Sequence, residues 1–157
     1  AGAKGEYNIR SLYFDDYEDR CLMENEAGTD PREKFRIRIY DHSSGRISLE
    51  LKKKLRGKTQ KLSCLLTPEQ CRSLMAGEIP DMGDDAPAVL QKLCLLMRTR
   101  LMRPKVIVEY VRVPYIYSNG NVRITLDTNI SSSNRTDLFL EEQIPLRPVL
   151  EAGQHVL

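Results

Sequence analysis

The stretch from Glu33 to Cys64 reads EKFRIRIYDHSSGRISLELKKKLRGKTQKLSC, and its alternation decides the fold. Successive side chains of a strand point to opposite faces, so residues two apart share one. Lys34, Arg36, Arg38 and Tyr40 fall on one face, and Phe35, Ile37 and Ile39 on the other. From Arg46 to Lys54, Ser48, Glu50, Lys52 and Lys54 oppose Ile47, Leu49 and Leu51. The turn formers of DHSSG join the two segments as a hairpin. RGK, whose Gly57 can take left-handed backbone angles, leads to a third strand over Thr59–Leu65. A sheet with its charged side in water is the ordinary explanation of such alternation. Water-facing strands, however, mix their signs to avoid like-charge neighbours, and these faces are mainly cationic.

Working outward, Tyr7–Asp15 (YNIRSLYFD) has strand composition, and Tyr17–Ala27 is more helix-like, stopped by Gly28 and Asp30-Pro31. Thr67 as N-cap, Pro68 at the first helical position and Glu69 in the first turn start a short helix that Gly77 closes. Val89, Leu90, Leu93, Leu96, Met97 and Leu101 lie near helical spacing, which predicts an amphipathic helix over Ala88–Met102 before Pro104. Lys105–Tyr117 and Asn121–Ile130 form a second hairpin around SNG, followed by the polar SSSNRTD and a short LFLEE segment. In this hairpin Tyr110 and Arg112 share a face, and so do Arg123, Thr125 and Asp127.

This order predicts one α+β domain over residues 1–157, an antiparallel β-barrel with two or three packing helices. If the cations point inward, the apolar faces lie outward beneath the helices. Cations gathered in a confined space repel one another unless an anionic ligand neutralises them. Arginine's planar fork suits phosphate oxygens, and lysine adds mobile charge.

Composition narrows the classes. The 157 residues carry a net charge of only +2, which argues against a protein that coats nucleic acid. With no tryptophan and 6% aromatics, stacking platforms for RNA bases are scarce. No apolar run approaches the roughly 18 residues of a membrane span. Cys21, Cys64, Cys71 and Cys94 form no Cys-x-x-Cys pair, and His42 and His155 are the only histidines, so reduced thiols in a cytoplasmic protein are expected.

LYFDD, FRIRIY, LELKKK, KTQK, EYVRVPY and VRITLDT, in that order, resemble the VTC-type polyphosphate polymerase domain, a branch of the triphosphate tunnel metalloenzymes. The resemblance runs from about Tyr7 to Asp137 and implies a barrel tunnel lined by basic residues. It implies transfer of the terminal phosphoryl group of ATP to inorganic polyphosphate, with Mg2+ or Mn2+. Carried over by motif, Arg36 and Arg38 are the Arg-x-Arg pair, Lys52 the lysine of the Glu-x-Lys strand and Lys61 that of the next. Arg112 belongs to the Tyr-x-Arg strand and Arg123 to the following one. All six would bind phosphate, with Arg36, Arg38, Lys52 and Arg112 neutralising charge during transfer. The family's first strand and its last, which carries a metal-binding glutamate, are not matched, so an incomplete barrel is expected. Glu50, Glu109 and Asp127 are then the carboxylates near the cationic strands, with Glu50 and Asp127 as metal candidates. The alternatives are a triphosphatase of the same fold and a non-catalytic module binding polyphosphate or inositol phosphates.

Overall fold

In a computed structural model the described residues are 5–15, 32–117 and 122–149, and the side chains of residues 32, 116, 117, 122 and 123 stand outside that description. The helix expected over 17–27 also lies outside it. Strand β1 (Tyr7–Asp15) comes first, then β2 (Arg32–Tyr40), β3 (Ser43–Leu55) and β4 (Lys58–Leu66). Helices α1 (Pro68–Met75) and α2 (Ala88–Thr99) follow. The chain then returns as β5 (Arg103–Tyr117), β6 (Val122–Ser133) and the two-residue β7 (Arg147–Pro148). Every neighbouring pair is antiparallel, in the order β4-β3-β2-β1-β5-β6-β7. The expected antiparallel α+β architecture is present, and among the described residues the strands form an open sheet.

The β2–β3 hairpin turns on two residues rather than on all of DHSSG. Asp41 and His42 have φ of 51° and 56°, the left-handed angles of a primed turn that matches strand twist. Asp41 Oδ1 accepts from the Asn8 N–H, and the Asp41 N–H donates to Asn8 O, both at 2.9 Å, which pins the turn to β1. Arg56 and Gly57, at φ of 53° and 76°, make the equivalent turn before β4.

Thr67 caps α1 in a reciprocal box: its Oγ1 accepts from the Gln70 N–H and Gln70 Oε1 accepts from the Thr67 N–H. Helix α2 stops at Thr99 rather than Met102. Leu101 turns left-handed (φ 54°), and the Met102 N–H returns to Leu96 O, so the chain can enter β5 through Pro104.

Both helices cover one face of the sheet. Leu12, Phe14, Phe35, Ile37, Ile39, Leu49 and Leu51 pack there with Leu74, Leu90, Leu93 and Met97. Burying each such side chain contributes about 1.5–3 kcal/mol. Cys71 and Cys94 belong to this core as free thiols, and burial pushes the Cys71 pKa up to about 12. The parity reading therefore holds in three dimensions, and the opposite face carries the cations.

Candidate anion-binding site

Strand register arranges the cationic face in transverse rows. Arg36 stands between Tyr13 of β1 and Glu50 of β3, and Arg38 between Ser11 and Ser48. Lys34, Lys52 and Lys61 line up directly across β2, β3 and β4. Like charges in directly opposed positions are unfavourable, although Glu50 Oε1 lies 3.7 Å from Lys61 Nζ and Lys34 has an interaction of its own.

Arg38 is the most constrained of these cations, with only 6% of its surface exposed. Its Nε donates to Ser11 Oγ and its Nη2 to Tyr110 Oη, each at 3.2 Å. No carboxylate lies within ion-pair distance of it among the described residues. Among the described residues its hydrogen-bond partners are neutral hydroxyls, and Glu50 acts on it through space rather than in contact, so the buried guanidinium is only partly compensated.

Its neighbours are neutralised on one side only. Arg36 Nε donates to Glu50 Oε1 at 2.7 Å, and Lys61 Nζ lies 3.7 Å from the same oxygen. Burial opposes the charge of Arg36, but hydrogen bonds to Glu50 and Tyr13 outweigh it and raise the pKa. Burial likewise pushes Glu50 up, yet the Arg36 bond and the charges of Arg36, Arg38 and Lys61 leave it lowered. Arg112 forks onto Asp127, Nε to Oδ1 at 2.9 Å and Nη2 to Oδ2 at 3.1 Å, which raises its pKa against the pull of burial. Its guanidinium also lies 5.3 Å from the centre of the Tyr110 ring. Desolvation raises the Tyr110 pKa although Arg38 and Arg112 pull it down. That hydroxyl accepts from both arginines, with Arg112 Nη2 at 3.4 Å, and so fixes the spacing between them.

Of the residues singled out by sequence, Arg36, Arg38, Lys52, Lys61 and Arg112 share this face. Lys52 and Lys61 are exposed. Arg123 stands in β6 opposite Ile116, and its side chain lies outside the described residues. Glu109 requires a correction. One position from Tyr110, it points to the other face, where its Oε1 is 2.6 Å from Arg10 Nε and 3.2 Å from His42 Nε2. Arg10, 1% exposed, also donates through Nη1 to Phe139 O at 2.8 Å and to Glu141 O, and through Nη2 to Glu142 O at 3.0 Å. Ser11 and Tyr110 were not among the candidates, although each shares strand parity with a residue of this face.

Glu50 and Asp127 are occupied by guanidinium groups, and no group of three or more His, Cys, Asp or Glu gathers among the described residues. These residues alone do not fit a protein-built metal site.

An antiparallel sheet with helices on one face and ordered arginines and lysines on the other defines an α+β protein with a cationic, anion-facing surface. The chain belongs to the VTC domain family, which matches residues 2–157. Among solved structures it is similar to a candidate adenylate cyclase from Bacillus halodurans at 16% identity and a TM-score of 0.55, over 84% of this chain and 61% of that one. A candidate adenylyl cyclase from Hippeastrum, described as having a dominant triphosphatase activity, aligns at 15% identity and a TM-score of 0.49, over 82% and 60% of the respective chains. The chain thus spans about three fifths of each of these structures. No curated protein matches it in sequence.

Proposed function

We propose that this chain is a polyphosphate polymerase domain that transfers the terminal phosphoryl group of ATP to the end of an inorganic polyphosphate chain, releasing ADP. The observation that carries the reading is Arg38, a buried cation whose described partners are two neutral hydroxyls. Phosphate oxygens would supply the missing counter-charge through short charge-assisted bonds.

Glu50 and Asp127 sharpen this geometry. Glu50 takes the Nε of Arg36, while Asp127 takes the Nε and one Nη2 hydrogen of Arg112. Each carboxylate orients a fork and leaves terminal N–H groups for a ligand. In the transfer, a terminal oxygen of the acceptor chain forms a bond to the γ-phosphorus as the bond from that phosphorus to the β-bridging oxygen breaks, with the electron pair leaving on ADP. Charge spreads over the equatorial oxygens in such a step, so alignment and cationic stabilisation do the work without a protein nucleophile. Arg36, Arg38 and Arg112 would hold the donor phosphates, while Lys52 and Lys61 would reduce repulsion from the incoming acceptor. Arg123 would add a further phosphate contact. Mg2+ or Mn2+, which the family resemblance implies, would supply additional charge neutralisation when bound. The free thiols suit a cytoplasmic setting.

The test is incubation with ATP and Mn2+ followed by gel analysis. An acid-stable polyphosphate ladder is expected. Free phosphate without a ladder would replace this reading by a triphosphatase, and tight polyphosphate binding without turnover by a binding module.

A further inference from the structure

A cavity of about 430 Å³ opens beside β6 and β7, away from the arginine cluster. Its polar lining comes from Ser132, Ser133, Asn134, Arg135 and Arg147, with Val106 among its apolar walls. Register places it on the cationic face. Val106 pairs with Tyr13, which pairs with Arg36. Ser132 pairs with Arg147 on one side and Val108 on the other, and that row continues through Ser11 to Arg38. Two strand spacings, roughly 10 Å, separate Val106 from Arg36.

We propose that this cavity is a second subsite for phosphate oxygens. Arg147 makes no side-chain hydrogen bond or ion pair among the described residues. Arg135 is tied to Asp137 through Nε at 3.2 Å and Nη2 at 3.1 Å, which leaves its Nη1 hydrogens for a ligand. Ser133 Oγ already accepts from the Arg135 N–H at 3.1 Å. The Ser132 hydroxyl and the Asn134 amide have no side-chain bond among the described residues and add donors of fixed reach. Two guanidinium groups beside hydroxyl and amide donors suit an oxyanion with several acceptor oxygens. Among the described residues no aromatic side chain lines the cavity, which offers a nucleobase no stacking partner there.

The anion can come from two sources, the distal part of a chain already held by Arg36 and Arg38, or free orthophosphate. The first rests on the polyphosphate reading, whereas the second stands without it. Calorimetric titration of the 157-residue chain with orthophosphate, tripolyphosphate and long-chain polyphosphate separates them. If the chain crosses both sites, Arg147→Glu weakens long-chain binding roughly tenfold to a hundredfold and leaves tripolyphosphate binding unchanged. Asn134→Asp, an exposed change that sets a carboxylate in the cavity, should act in the same direction, and Arg147→Lys should recover part of the loss. If the source is free phosphate, the same variants abolish an orthophosphate site and spare long-chain binding. Unchanged binding of all three anions in both Arg147→Glu and Asn134→Asp, with thermal unfolding showing intact folds, overturns the proposal. Failure of the polyphosphate reading would show differently, as tripolyphosphate binding that survives Arg38→Met.

Discussion

Arg10 and Arg38 sit on adjacent strands, are almost equally buried, and face opposite ways. Arg10 lies on the helix-covered side, where Glu109 neutralises it and three backbone carbonyls take three more of its donors. Arg38 lies on the open side and meets two neutral hydroxyls. Burial therefore does not distinguish a structural arginine from a ligand-binding one. What distinguishes them is whether the fold itself supplies the counter-charge.

The sharpest way to break this contrast is to remove each guanidinium. Arg10→Met leaves Glu109 buried with His42 as its one remaining ion-pair partner among the described residues, and should lower unfolding free energy by about 3–5 kcal/mol in urea titrations. Arg38→Met should instead leave unliganded stability unchanged or raised, while costing about 2–5 kcal/mol of tripolyphosphate binding, roughly 30- to 4,000-fold in affinity by calorimetry. A stability loss in Arg38→Met as large as that of Arg10→Met would end the distinction. Next in size, tripolyphosphate at a hundred times its dissociation constant should stabilise the wild-type fold by about 2.7 kcal/mol, and far less at the same concentration in Arg38→Met.

Titration of Glu50 sharpens the contrast further. Its folded pKa is held below the ordinary 4.5, so its contribution to stability is present above that value and is lost as pH falls through the lowered one. Thermal unfolding of the wild type should therefore decline more steeply with acidification below pH 4.5 than that of Glu50→Gln. The smallest effect belongs to the lysine row. Lys52→Gln relieves two opposed like charges and should stabilise the unliganded protein by about 0.2–1 kcal/mol, measured by urea unfolding, while weakening anion binding.

Local alternation made much of this legible. Lys34 to Tyr40 and Ser48 to Lys54 divided correctly into two faces because a strand's period is fixed by its backbone. Boundaries were less readable: β3 begins at Ser43 because Asp41 and His42 take the turn, and β6 continues through Ser131–Ser133, which read as a polar stretch after the strand. In the candidate site the cations stood out, but their partners did not. Ser11 reaches Arg38 through β1–β2 pairing, and Tyr110 reaches it from β5 across β1, contacts that no local pattern encodes. Arg10 was the overlooked signal, a lone cation at an apolar-face position, and its match to Glu109 depends on the same long-range register.

The clasp that Arg10 makes with residues 139, 141 and 142 spans 129 to 132 positions of sequence. Contacts so distant along the chain carry a loop-closure cost and need β1 and β5 to be side by side, so they are expected to close late. Strengthening or weakening this clasp should therefore act on the rate at which the protein comes apart and leave its folding rate nearly untouched. Arg10, the most deeply buried arginine among the described residues, would in that sense be a latch on the protein's lifetime, setting how long the assembled sheet persists.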